Sequence, residues 1–101
     1  MSDSHKKILN KVQKDLCENM NPAPVLISLT SMLILDRFDV DEIRANGHAT
    51  KRAQVVNIIN TLQEKPDAAF QCLIDALDQT EQRHVANVIR QELKKQSILE
   101  F

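Results

Sequence analysis

The sequence predicts an all-α domain built as a bundle of six antiparallel helices. Three observations carry the prediction. There is one glycine and there are three prolines in 101 residues, so the tight turns that every β-hairpin needs have little to be made from. Leu, Ile, Ala, Lys, Glu and Gln dominate, a composition that favours helix. In segment after segment apolar residues recur at i, i+3, i+4 and i+7, and no period-two strand pattern survives the reading. The length suits one domain, which at this size buries about 60–65% of its unfolded surface and is modestly stable.

The first helix spans roughly residues 4–19. Ser2, Asp3 and Ser4 offer caps, Ile8, Leu9, Val12, Leu16 and Met20 form the stripe, and Lys7, Lys11 and Lys14 fall opposite it. Asn21-Pro22 then reads as a cap followed by proline at the first helical position. Val25, Leu26, Leu29, Met32 and Leu33 extend that second helix to near Leu35; apolar on most sides, it is expected to be the most buried. Asp39 and Glu42 are spaced as a capping box for a short third helix anchored by Ile43, and Gly47 is placed to end it in the left-handed conformation. Thr50 caps a fourth helix carrying Val55, Ile58, Ile59 and Leu62. Pro66 ends the fourth and starts the fifth, with Asp67 complementing the dipole of the first turn and Phe70, Leu73, Ile74 and Leu77 as its stripe. Thr80 is read as the cap of the sixth, in which Val85, Val88, Ile89 and Leu93 face inward and Lys94 and Lys95 lie near the C-terminal end. Connections of a few residues imply antiparallel packing of neighbours.

Little in the chain points to chemistry. Cys17 and Cys72 sit beside apolar stripes and read as small buried hydrophobes, unpaired in a reducing compartment. His5, His48 and His84 fall on a frayed terminus, a loop and a polar helix face. They lack the spacing of a zinc site, and no C-x-x-C occurs. One glycine cannot build a phosphate loop, and no acid–base pair stands out, so catalysis, metal and cofactor are not expected. No apolar run reaches the ~18–20 residues of a membrane span, and the polar MSDSHKK start does not read as a signal peptide. A cytoplasmic location is the expectation.

Charge on the surface remains. The net charge is −1, yet the charges are segregated. Lys7, Lys11 and Lys14 line the outer face of the first helix, and Lys51 and Arg52 begin the fourth. Asp36, Asp39, Asp41 and Glu42 crowd the junction of the second and third helices and the third helix itself. Solvated helix faces produce such runs; so do paired binding surfaces.

The run RFDVDEIRANGHATKRAQVVNIINTLQEKPDAAFQCLIDALDQTEQRHVANVIR, residues 37–90, resembles a caspase recruitment domain (CARD). The resemblance rests on a short DEI-type third helix, a polar loop, the basic-started TKRAQVVNIINTL, the helix AAFQCLIDAL and the H-x-A ending HVANVIR. KKILNKVQKDL resembles the family's first helix, so the likeness covers about residues 4–93 and is greatest to an initiator-caspase prodomain. It implies a death-fold Greek key over residues 1–96, with residues 97–101 a C-terminal tail or the start of a linker. It also implies a function: homotypic CARD–CARD recruitment of an initiator caspase or adaptor to an oligomeric platform in apoptosis, without catalysis by this chain. The basic face would be Lys11, Lys14, Lys51 and Arg52 and the acidic face Asp36, Asp39, Asp41 and Glu42, with self-assembly an associated expectation. Gln13 and Val56 stand where apoptosome-recruited caspases tend to carry arginine, and Lys65-Pro66 replaces a usual basic-glycine turn. A CARD adaptor or CARD-only regulator of innate-immune signalling is the alternative within the same class. A small nucleic-acid-binding domain using the five basic residues is disfavoured by neutral charge and scarce aromatics.

Overall fold

The apolar stripes close on one another in six helices: α1 (Asp3–Asn19), α2 (Pro22–Ser31), α3 (Arg37–Asn46), α4 (Lys51–Gln63), α5 (Ala68–Gln79) and α6 (Arg83–Leu99). These come from a computed structural model, which describes residues 1–46 and 50–99. The expectations for Gly47 and His48 lie outside the described residues. Order in space departs from order in the chain. α1 packs chiefly on α4 and α6, α2 on α5, and α3 on α4. The core is continuous across all six helices. Leu9, Leu16, Ile58, Leu62, Leu73 and Leu77 are among its wholly inaccessible members, each contributing about 1.5–3 kcal/mol by leaving water.

Two helix starts follow the reading closely. The Ser2 hydroxyl accepts from the His5 N–H (3.4 Å) to cap α1, and the Thr50 hydroxyl accepts from the Ala53 N–H (3.1 Å) to cap α4. Others move. α2 ends at Ser31, not near Leu35. Leu33 has φ 63°, its N–H donates to the Thr30 carbonyl (3.0 Å), and the Ile34 N–H reaches back to the Leu29 carbonyl (3.1 Å). That is a Schellman motif with leucine in the glycine position, and the reversal turns Leu33 into solvent, 89% exposed. The same motif ends α5. Thr80 is its C-cap rather than the start of α6, Glu81 takes φ 63°, and the Gln82 N–H donates to the Leu77 carbonyl (2.8 Å). Gln82 then begins α6, its carbonyl accepting from Val85 and Ala86.

The capping box of α3 lies three residues upstream of the expected one. Asp36 Oδ1 accepts from the Asp39 N–H (2.8 Å) and Asp39 Oδ2 accepts from the Asp36 N–H (3.1 Å), so the pair is Asp36 with Asp39, not Asp39 with Glu42. Nor is α2 the most buried helix. It leaves Ile27 65% exposed, and six residues of α5 are buried against four of α2. Lys94 and Lys95 precede the last turn of α6, which contains no basic residue.

Two polar clamps were not visible in the sequence. Buried Gln82 accepts from the Asn21 N–H (2.7 Å) and donates to the Asn21 carbonyl (3.2 Å) and Thr80 Oγ1 (3.0 Å), joining the α1–α2 and α5–α6 connections. His5 does not fray. Its ring stacks on Phe70 with centroids 4.0 Å apart, and Nδ1 meets Asp67 Oδ1 at 2.6 Å. Asp67 also accepts from the Ser2 N–H (2.9 Å), so it ties down α1 rather than capping its own helix.

A candidate protein-interaction surface

α1 and α4 lie side by side and run antiparallel. Near the middle of α1, Asn10 Oδ1 accepts from Gln63 Nε2 at the end of α4 (2.9 Å). Near its end, Cys17 Sγ meets the Arg52 carbonyl at the start of α4 (4.0 Å). Residues 10, 14 and 17 share a helix face at i, i+4 and i+7, which places Lys14 on the α4 edge of α1. Lys51 and Arg52 stand at the same end of the seam. Lys14, Lys51 and Arg52 are exposed and have no ion-pair partner among the described residues. The structure thus gathers three of the four expected basic residues. Lys7, at i−7 from Lys14, extends the same face.

Lys11 turns the other way. Its Nζ lies 3.1 Å from Glu92 Oε1 on α6, and Gln96 Nε2 donates to the same oxygen (3.2 Å). The bond from Lys11 holds the Glu92 carboxyl below its ordinary range, opposing burial, with Gln96 assisting. Lys11 therefore serves the monomer by satisfying a buried acid, a need that a single glutamate in a polar-looking stretch does not announce.

The four expected acidic residues do not form one patch. Asp36 and Asp39 cap α3. Although burial pushes the Asp39 carboxyl up, the bond from Lys65 Nζ (2.7 Å) and the Asp36 N–H hold it below its usual value. Glu42 joins Asp39, Asn57, Asn60 and Glu64 along a polar cleft between α3 and α4. Asp41 lies on the opposite side of α3, in a groove shared with α2 and flanked by Arg37 and Arg44. A 100° step per residue separates neighbours on a helix, so acids adjacent in sequence are parted. Arg37 and Arg44, which flank the acids of α3 in the sequence, were not among the expected site residues. Their spacing of seven, two turns along one face, was the available signal.

The remaining candidates are quiet. Burial pushes the Cys17 thiol up against the pull of Arg52, and burial with Asp75 does the same for Cys72, keeping both as poor nucleophiles near neutral pH. His84 is exposed. Among the described residues no three His, Cys, Asp or Glu side chains converge to hold a metal ion, and no helix is long and apolar enough to cross a membrane.

The chain matches the model of the caspase recruitment domain family over residues 6–92. The chain belongs to this family. No curated protein matches it. As a CARD it is a non-catalytic, homotypic protein-interaction module, and its six helices form the all-α death-fold bundle, a Greek key. CARDs bind other death-fold and CARD proteins.

Proposed function

We propose that this CARD recruits an initiator caspase or its adaptor to an oligomeric platform in apoptosis, acting in the cytoplasm, and that the α1–α4 seam is the basic half of its contact. The observation that carries the reading is the convergence of Lys14, Lys51 and Arg52 at one end of that seam, with no internal partner among the described residues. The complementary acidic charge comes from two sides of α3: Glu42 with the capped pair Asp36 and Asp39, and Asp41 apart from them. Of these, Asp41 and Glu42 take no part in the cap of α3, while Asp36 and Asp39 contribute charge that the cap holds in place. Lys11 contributes field but not a free side chain.

Basic and acidic surfaces on different parts of one chain make a heterologous, head-to-tail contact, which extends into an open assembly when its rotation does not close. Attachment of a protease domain to such an assembly raises that domain's effective concentration, and proximity is then the whole mechanism. Exposed charges dominate the contact, so salt weakens it and complementary potentials steer the encounter.

The test is a pull-down of a CARD partner by Lys51→Glu/Arg52→Glu, with helicity followed by circular dichroism. Binding is lost and helicity kept, because both side chains are exposed and have no ion-pair partner among the described residues. Unchanged binding removes the seam from the interface. Lys11→Glu is the wrong probe, since it strands Glu92 and perturbs the fold as well as the surface.

A further inference from the structure

The acids on the α4 side of α3 carry a cation of their own. Asp39 and Glu42 line the cleft of about 180 Å³ that α3 forms with α4, where Glu64 joins them, and Asp36 is bonded to Asp39 through the cap. Of these four carboxylates only Asp39 has an ion-pair partner among the described residues. The partner is Lys65 in the α4–α5 connection, its Nζ 2.7 Å from Asp39 Oδ2.

Lys65 is held at its backbone and at its tip. Its N–H donates to the Leu62 carbonyl in the last turn of α4 (3.0 Å), and Pro66 restricts the backbone before it. The bond to Asp39, opposing burial, raises the pKa of the ammonium, and the fields of Asp39, Asp36 and Glu64 add to it. Lys65 therefore stays charged at neutral pH.

The start of α3 does not need this ion pair. Its cap is made by Asp36 Oδ1 on the Asp39 N–H (2.8 Å) and Asp39 Oδ2 on the Asp36 N–H (3.1 Å). Lys65 donates to an oxygen that already accepts from Asp36, so its removal leaves both cap bonds in place. A partly exposed ion pair also adds little to stability. What the pair changes is the surface: it sets one positive charge among four negative ones.

We propose that Lys65 is an autoinhibitory counter-ion, occupying the place on Asp39 that a lysine or arginine of a partner's basic seam takes. The inference rests on the reading of the α3 acids as the acidic half of the contact. A partner cation reaches Asp39 by exchange, and Lys65 turns into solvent on its flexible four-carbon stem. While Lys65 stays, an incoming basic surface meets a like charge at the point where it should meet an acid, which weakens and slows the encounter.

The probe is a second copy of this chain, immobilised for biolayer interferometry at low salt, with soluble Lys65 variants applied. Lys65→Gln binds about threefold more tightly than the parent, and Lys65→Arg binds as the parent does. A residue that only held α3 in place gives the reverse: weaker binding by Lys65→Gln together with a lower Tm. Three results overturn the proposal: Lys65→Gln no tighter than the parent, Lys65→Arg as tight as Lys65→Gln, or no saturable binding by Lys65→Gln. The same series on an immobilised Lys51→Glu/Arg52→Glu copy keeps this inference apart from the seam. Binding and gain both vanish on that copy when the two assignments hold. A gain that persists there removes the seam and keeps the counter-ion. Binding lost there, with no gain from Lys65→Gln on the parent, removes the counter-ion and keeps the seam. Circular dichroism of Lys65→Gln checks that the helices are intact.

Discussion

Replacing Leu33 by glycine should stabilise this domain, although it deletes a hydrophobic side chain. Leu33 holds φ 63° in the Schellman turn that ends α2. A left-handed residue with a Cβ costs about 1–2 kcal/mol, and glycine escapes that cost. Against this, glycine widens the unfolded ensemble by about 0.4–1 kcal/mol. The lost burial is small because the side chain is 89% exposed; a tenth of a full leucine burial is about 0.2–0.3 kcal/mol. The balance is a gain of about 0.5 kcal/mol, reaching about 1 where the backbone term is at its upper end, and a rise in Tm of about 2–8 °C for a chain of this length. Calorimetry or thermal circular dichroism reads the shift, and urea titration should move the midpoint without changing the slope. Leu33→Ala is the control, since alanine keeps the Cβ. If alanine stabilises as much as glycine, the exposed side chain and not the backbone was the source of the cost. If glycine lowers Tm, the reasoning is wrong. Glu81→Gly repeats the test at the end of α5, and the two gains should add because the turns do not share hydrogen-bonding partners.

Two further outcomes test the polar clamps. Gln82→Ala removes the two hydrogen bonds to the Asn21 backbone, each worth about 0.5–1.5 kcal/mol; a Tm drop of only a degree or so refutes the clamp. At low pH, the bonds from the Ser2 N–H and His5 pull the Asp67 carboxyl down to about 2, against about 3.9 in an unfolded chain. A depressed carboxyl supplies stability above its unfolded pKa and surrenders it as pH falls towards its folded one. Stability should therefore decline between about pH 4 and pH 2, and Asp67→Asn should decline less steeply across that window in acid titration of Tm.

The sequence by itself determined the helices and the core. Periodicity is local, and a stripe such as Phe70, Leu73, Ile74 and Leu77 has one way to be buried. Buried aliphatic side chains are also interchangeable partners, so their placement in a core needs no knowledge of which helix lies opposite. Helix ends were legible where a hydroxyl meets its own first turn, as at Ser2 and Thr50. They were misread where a leucine or a glutamate adopts the glycine conformation, because the energy that forces Leu33 and Glu81 there comes from the packing of the helices on either side. The surface was half legible. That Lys14, Lys51 and Arg52 were basic could be read off; that they meet along an antiparallel α1–α4 seam while Lys11 turns to Glu92 could not. Charge pairing depends on distances between segments far apart in the chain, and those distances exist only once the core has set the helices against each other. The helical step parts Asp41 from Glu42 locally, but that Asp41, Arg37 and Arg44 border a groove with α2 while Glu42 lines a cleft with α4 was decided by the tertiary structure, because only packing sets one helix against another.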